Sequence, residues 1–240
     1  MGGGFSIAAE VDELDLVGWT RFVDDIVGGV ASSEKAILST PQRILINADE
    51  LTFGENSIVN ARLQAKLKNN DWYIDLTSKQ IQAELFLDDN WQSRGITFNA
   101  EFMRFDELNW GIAEEREWSI SNLPPLSLRC EVCQFGRYDL GKVVINGMPR
   151  AEGYVFDQVS LSNAHGQLNA TGMWDAHSES PTKEFTGVVT SDDFGQLLET
   201  AGIQSGIKDS EARFDFSVNW PDAPWELQAE SMQGEVEWEL

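Results

Sequence analysis

Cys130-Glu131-Val132-Cys133 is the spacing in this 240-residue chain that most directly suggests chemistry. A C-x-x-C pair is redox-active when it opens a helix, whose N-terminal dipole stabilises the thiolate. Here the flanking Leu126-Ser127-Leu128-Arg129 reads as a strand. In a flat strand, residues i and i+3 point to opposite faces and lie roughly 10 Å apart at ~3.3 Å per residue. A disulfide needs Cα atoms within about 7 Å. The two cysteines can therefore be bridged only if the strand turns or bulges at Glu131-Val132. A structural disulfide and a pair of half-buried thiols both stay open, and both outweigh a redox centre or a zinc site, for which no second ligand pair exists.

The remaining candidates are weaker. His165 and His177, the only histidines, each lie in turn-like sequence with no converging ligand spacing. Asp12-Glu13-Leu14-Asp15, Asp24-Asp25, Asp88-Asp89 and Asp192-Asp193 lack the D-x-[DN]-x-[DN]-G spacing of a calcium loop, and helix caps or solvated faces account for them. Among 40 acidic residues a pair suited to glycoside hydrolysis can always be found, so such a pair carries no information. There is no Gly-rich phosphate loop, G-x-S-x-G or H-E-x-x-H. Of the nine tryptophans, Trp91, Trp110 and Trp225 fall in or beside loops. Trp72, Trp174, Trp220 and Trp238 continue strand patterns, where core packing explains them. No cofactor is implied.

Period-2 alternation dominates the chain and must carry whatever the protein does. Val59, Ala61, Leu63, Ala65 and Leu67 alternate with polar residues, then Asn69-Asn70-Asp71 turns the chain into Trp72, Ile74 and Leu76. Ile96, Phe98, Ala100 and Phe102 form another such series, and Leu126, Leu128, Cys130 and Val132 follow Pro124-Pro125. Late in the chain come Phe214, Phe216, Val218 and Trp220, then Val236, Trp238 and Leu240. Roughly a dozen strands in antiparallel meanders result. Two stretches read as short amphipathic helices. Leu16, Trp19, Val23 and Ile26 form one; Phe194, Leu197, Leu198 and Ala201 form the other, capped by Ser191 or Asp192. Each follows a strand, so the unit strand, acidic cap, helix, strands occurs twice as a weak internal repeat. The loop 110–116 is the best candidate break and would divide a single 1–240 unit into 1–122 and 123–240.

Lys+Arg 17 against Asp+Glu 40 gives a net charge of −23. That balance argues against nucleic acid, which needs clustered cations, and against docking on an anionic leaflet, which needs a polybasic patch. No apolar run is long enough to span a membrane as a helix. The first residues lack a signal peptide's basic and apolar regions, and the last stop inside an alternating pattern. The expectation is a cytosolic chain or, judging from the last residues, a piece of a longer one.

Two segments are distinctive. The first is Arg213-Phe214-Asp215-Phe216 leading into Trp220-Pro221-Asp222-Ala223-Pro224; the second is Met232-Gln233-Gly234-Glu235-Val236. With Leu123-Pro124-Pro125-Leu126, Cys130-x-x-Cys133 and Leu140-Gly141, this sequence resembles the central and C-terminal region of YhdP-type, AsmA-like envelope proteins of Gram-negative bacteria, related to TamB-like bridge-type lipid transporters. The resemblance is close from about Leu123 to Leu240 and looser from Phe5 to Leu108.

The resemblance implies a mainly β fold: an elongated, curved antiparallel sheet forming an apolar groove, with two short helices. It implies a periplasmic setting, an inner-membrane anchor in an N-terminal part outside this chain, and phospholipids as partners, with other envelope proteins as further partners. In that setting Cys130 and Cys133 are expected to be oxidised and structurally quiet. The groove candidates, taken from the apolar phase of each strand, are Leu63, Leu67, Ile74, Leu76, Phe98, Phe102, Phe214, Phe216, Val218 and Trp238. Two rivals stand beside this reading. One is a non-lipid scaffold whose apolar face is closed by Trp19, Phe22 and Phe194. The other is an acidic secreted β-sandwich glycosidase.

Overall fold

The computed structural model describes residues 5–16, 40–53, 56–105, 123–136, 138–175, 183–200, 210–220 and 232–239. Thirteen strands follow one another. They are β1 (Ser6–Asp15), β2 (Arg43–Phe53), β3 (Asn56–Lys68), β4 (Asp71–Thr77), β5 (Ile81–Leu87), β6 (Ile96–Phe105) and β7 (Leu126–Phe135). Next come β8 (Tyr138–Arg150), β9 (Gly153–Ser162), β10 (Gln167–Asp175), β11 (Lys183–Ser191), β12 (Ala212–Trp220) and β13 (Gln233–Glu239). They form one sheet in strict sequence order, with β1 and β13 as its edges.

Most neighbours are joined by short turns and pair antiparallel. At β3–β4 the turn residues Asn69 and Asn70 both take positive φ, 54° and 71°, the two-residue geometry whose twist matches a hairpin. Two pairings depart from the expected meander: β1–β2 and β6–β7 are parallel. Parallel neighbours need a connection that travels back along the strand, and these two pairs are separated by the longest early gaps between strands. The two copies of the strand–helix unit differ in their strand pairing, and the helix of the first lies outside the described residues beyond Leu16. β1 and β2 pair parallel, whereas β11 and β12, which flank the later helix, pair antiparallel.

Two helices lie among the described residues. The one-turn α1 (Trp91–Arg94) is not foreshadowed by the sequence pattern, being too short to show a period. The other, α2 (Phe194–Thr200), stands where the apolar spacing places it. Its cap is Asp193, whose Oδ1 accepts the Gln196 N–H at 3.1 Å, rather than Ser191 or Asp192. The expected helix Leu16 to Ile26 falls outside the described residues beyond its first position, as do His177, Trp19, Phe22, Trp110 and Trp225.

Phase slips recur at one level of the sheet, in β1, β2, β3, β6 and β7, while β4 ends short of that level and β5 passes it without one. The inward residues are spaced i, i+3 at this level in several strands: Val11 and Leu14, Ala48 and Leu51, Ala100 and Met103, Cys130 and Cys133. The extra residue in each of these strands lets the same face stay apolar on both sides of the slip. Left-handed backbone at Asn60 (φ 52°) and Gly141 (φ 62°) lies at the same level. Cys130 and Cys133 face inward together, fully buried, with Cα atoms 6.0 Å apart and a disulfide between them. The bulge at Glu131-Val132 that a bridge requires is present, as a shift in the β7–β8 register.

Beyond the slips lies the dry end of the sheet. Leu51, Ile58, Phe105, Cys130 and Cys133 are buried there. Phe53 of β2 meets Phe105 of β6 edge-on, ring centroids 6.1 Å apart. Four strand intervals in a flat sheet span ~19 Å, beyond the reach of two phenylalanines, so the sheet curls at this end.

Candidate functional site: the apolar face

Cross-strand partners share a face, so the register converts alternation into rows. One row crosses every strand. It begins Ala9, Ile46, Leu63, Leu76, Ala83, Ala100. It continues Cys130, Val143, Leu161, Leu168, Val189, Phe214, Trp238. No position in it is polar. Thirteen strands at ~4.8 Å spacing carry it about 58 Å. A second row, two residues along each strand, runs from Ile7 and Ile44 through Ile74, Phe98 and Leu128 to Phe216 and Val236, again without a polar residue. A third, from Leu67 on β3 through Trp72, Ile96, Phe156 and Phe185 to Val218, is likewise apolar.

The large side chains of these rows are mostly only half-buried, and at the β13 edge Val236 and Trp238 are 56% and 63% exposed. The first row is covered over β5–β8, where Ala83, Ala100, Cys130 and Val143 are buried, and opens toward β13, where exposed apolar surface marks a contact site. Near β12 it is partly covered, where Phe194 of α2 packs on Phe214 at 4.9 Å. That is the one described contact of the three named for the closed scaffold.

The opposite face is wet. One register position away from the first row lie Gln64, Asp75, Glu84, Asn99, Arg129, Ser160, Asn169, Asp215 and Glu237, with Ala8, Leu45, Val144 and Val188 between. Its ion pairs are exposed: Lys66 with Asp75 at 4.0 Å, Lys142 with Glu131 at 3.2 Å, and the two-pronged Arg213–Asp215 pair at 2.7 and 2.8 Å. Hydrogen bonds from Arg129 and Lys142 hold the Glu131 carboxyl below its ordinary range. Such pairs add little stability but keep the outer surface hydrated.

Nine of the ten sequence-derived candidates share the apolar face. Leu63, Leu76, Phe214 and Trp238 lie in the first row, Ile74, Phe98 and Phe216 in the second, Leu67 and Val218 in the third. Phe102 does not join them. The slip at Glu101 reverses the phase of β6, so Phe102 pairs with Gln82 and Val132 on the wet side, with the Arg104 guanidinium 5.0 Å from its ring centre. Met103 and Phe105 take the inward positions instead. Sequence pattern alone misses Ile44 and Ile46 in β2, where Ile44-Leu45-Ile46 is a continuous apolar run, and Val143, Leu161 and Leu168 in β8–β10. The apolar alternation of β9 and β10 would have found the last two.

The remaining chemistry candidates do not converge. His165 sits in the β9–β10 turn, its backbone N–H donating to Asn163 Oδ1 at 2.9 Å. Among the described residues, the only acidic, histidine or cysteine groups clustered closely enough to hold an ion are Asp71, Asp88 and Asp89, at the tips of β4 and β5. Asp88 there is engaged by Arg94 at 2.9 Å and accepts the Asn90 N–H, which holds its carboxyl below the ordinary range. The disulfide is buried in the sheet.

One face of the open sheet is apolar in three rows across its strands, and the other is hydrated. The YhdP protein family matches residues 2–240, and the chain belongs to that family. It is similar to the intermembrane phospholipid transporter YhdP of Escherichia coli (strain K12), at 22% identity over 239 residues. The alignment covers 88% of this chain but 17% of that relative, so the chain spans about a sixth of its length. No solved structure matches the chain. No described helix is long and apolar enough to cross a membrane.

Proposed function

We propose that residues 1–240 act as one section of a β-sheet groove that shields phospholipid acyl chains during transport between the inner and outer membranes. The chains lie along the apolar rows and the head groups stay in water. No bond is made or broken. Each methylene kept from water contributes about 0.8 kcal/mol, and an unbroken apolar track keeps that contribution nearly constant along the path, so lipid slides by partition without a large barrier. The observation that carries this reading is the first row, apolar in all thirteen strands, with most of its larger members only half-buried and Trp238 at its end exposed. The relative's name supplies the kind of cargo. On this reading the section works in the periplasm, within a longer protein anchored in the inner membrane.

A second reading draws on the dry end of the sheet, where the Phe53–Phe105 contact and the buried disulfide make a small closed core. A scaffold for protein contacts would extend such closure along the whole face. Site-specific photo-crosslinking separates the two. A probe at Phe98 or Phe216 should capture phospholipid, and one at Asp215 or Glu101 should not. Equal capture on both faces refutes the groove; capture at neither apolar position favours the scaffold.

A further inference from the structure

From β8 onward the apolar face is built differently from its first half. The third row becomes an alternation across strands of glycine and ring: Gly147 pairs with Phe156, Phe156 with Gly172, and Gly172 with Phe185. The rings are not upright. A Cβ placed on Gly172 would lie 2.4–2.6 Å from three atoms of the Phe185 ring, and one on Gly147 would lie 2.5 Å from the Tyr154 ring. Both contacts are closer than side-chain atoms approach one another. Each ring therefore leans over its glycine, in the space a side chain would fill. The leaning rings also touch in series: Tyr154 to Phe156 at 5.2 Å, Phe156 to Phe185 at 5.3 Å, and Phe185 to Trp220, nearly parallel, at 5.2 Å.

Backbone freedom does not explain Gly147 or Gly172. Neither has the left-handed φ that favours glycine, whereas Gly141 does. Glycine within a strand is destabilising by roughly 0.5–1 kcal/mol relative to alanine, so its presence there calls for a steric reason. The close ring contacts supply that reason: the glycine is the seat of the neighbouring ring.

We propose that Gly147 and Gly172 set the clearance above the apolar face over β8–β12, by letting Tyr154 and Phe185 lie down so that the floor stays low enough for acyl chains. The inference rests on the groove reading and adds to it the residues that fix how much chain cross-section the groove admits. A methyl at position 172 occupies the seat. Phe185 must then swing about its Cα–Cβ bond and stand into the path, since the backbone beneath it is held by β10 and β12 on either side.

The test uses the chain with a photo-crosslinking residue at Val218, the direct neighbour of Phe185, and vesicles of phosphatidylethanolamine and phosphatidylglycerol. Gly172→Ala should lower captured lipid at least several-fold, with far-UV circular dichroism unchanged. Phe185→Ala should not lower it, and Gly172→Ala with Phe185→Ala should return capture to the parent level, because no ring is left to lift. The emission of Trp220, which stacks on Phe185, should change in Gly172→Ala before any lipid is added. If Gly172→Ala captures lipid as the parent does, or the double variant stays as low as the single one, the clearance role is wrong while the groove stands. If Gly172→Ala loses its sheet, adding Phe185→Ala should restore both the sheet and lipid capture, because the clash is with the Phe185 ring; a double variant that stays unfolded or captures no lipid overturns the proposal. If the parent chain captures no lipid at any apolar position, the groove reading falls and the clearance role with it.

Discussion

Placing a carboxylate at position 216 is the sharpest perturbation of the proposed path. Phe216 lies in the second row between Gly187 and Val236, with Phe214 and Val218 flanking it along the strand. None of these can neutralise or hydrogen-bond a charge through its side chain. The nearest cation in sequence, Arg213, lies on the other face with both its bonds given to Asp215. An acyl chain passing over Phe216→Asp must therefore cover an unpaired ion, at a cost of at least ~3 kcal/mol. At 1.4 kcal/mol per tenfold, that is about a hundredfold loss of occupancy. Because Phe216 is only half-buried, deleting its ring costs the fold about 1–2 kcal/mol, too little to unfold a sheet of this size. The assay is lipid capture by a photo-crosslinking residue at Val236, with Phe216→Leu as the apolar control and Asp215→Asn as the control for charge on the other face. Capture should collapse only in Phe216→Asp. A folded Phe216→Asp protein that captures lipid like the parent would show that β12 does not line the path. Equal loss in Asp215→Asn would show that the two faces are not functionally distinct.

Three further expectations follow from the geometry. Replacing Cys130 and Cys133 together by serine should lower stability by about 1.5–2 kcal/mol, the loop-closure value for so short a ring, while leaving lipid capture unchanged; a denaturant titration beside the crosslinking assay checks both. Burial pushes the Tyr154 hydroxyl up to about 12, above its ordinary value near 10, so the unfolded chain gives up this proton first. Stability from this group is complete below pH ~10 and lost as pH rises towards 12, by about 2 kcal/mol once partial solvent screening is allowed for, and Tyr154→Phe should flatten that fall in equilibrium unfolding. Finally, a crosslinking residue at Phe102 should capture no lipid while one at Phe98 does, because the slip at Glu101 separates them; equal capture at both would deny the assigned phase.

The fold class and much of the apolar face were legible because alternation is a local signal. Leu63 and Leu67, or Phe214, Phe216 and Val218, declare their face within a single strand, and the register then only has to align them. The failures mark where local signals stop. Phe102 follows Phe98 and Ala100 in perfect alternation, and nothing in β6 alone announces the extra residue; the sign lies across the sheet, in the spacing of Cys130 and Cys133. The parallel pairings are set by where long connections bring the chain back, which no strand's own pattern encodes. The rings over Gly147 and Gly172 could not be read because they depend on which strands are neighbours.

The strict sequence order of the strands carries a further consequence for how such a protein changes over generations. Each strand is hydrogen-bonded only to the strands before and after it in the chain. Gaining or losing one hairpin would lengthen or shorten the sheet by two strand widths, about 10 Å, and leave every other pairing as it was. The rows would simply continue through the inserted strands, provided those keep the same alternation. Length and cross-section are thus inherited separately. Duplication or deletion of hairpins changes the length of the sheet, while on the proposed reading substitutions at positions such as Phe185 and Gly172 alter what fits along it. A slip of one residue inside a strand such as β6 or β7 is different in kind, because it would break a crease shared with its neighbours and would survive only if they shifted with it.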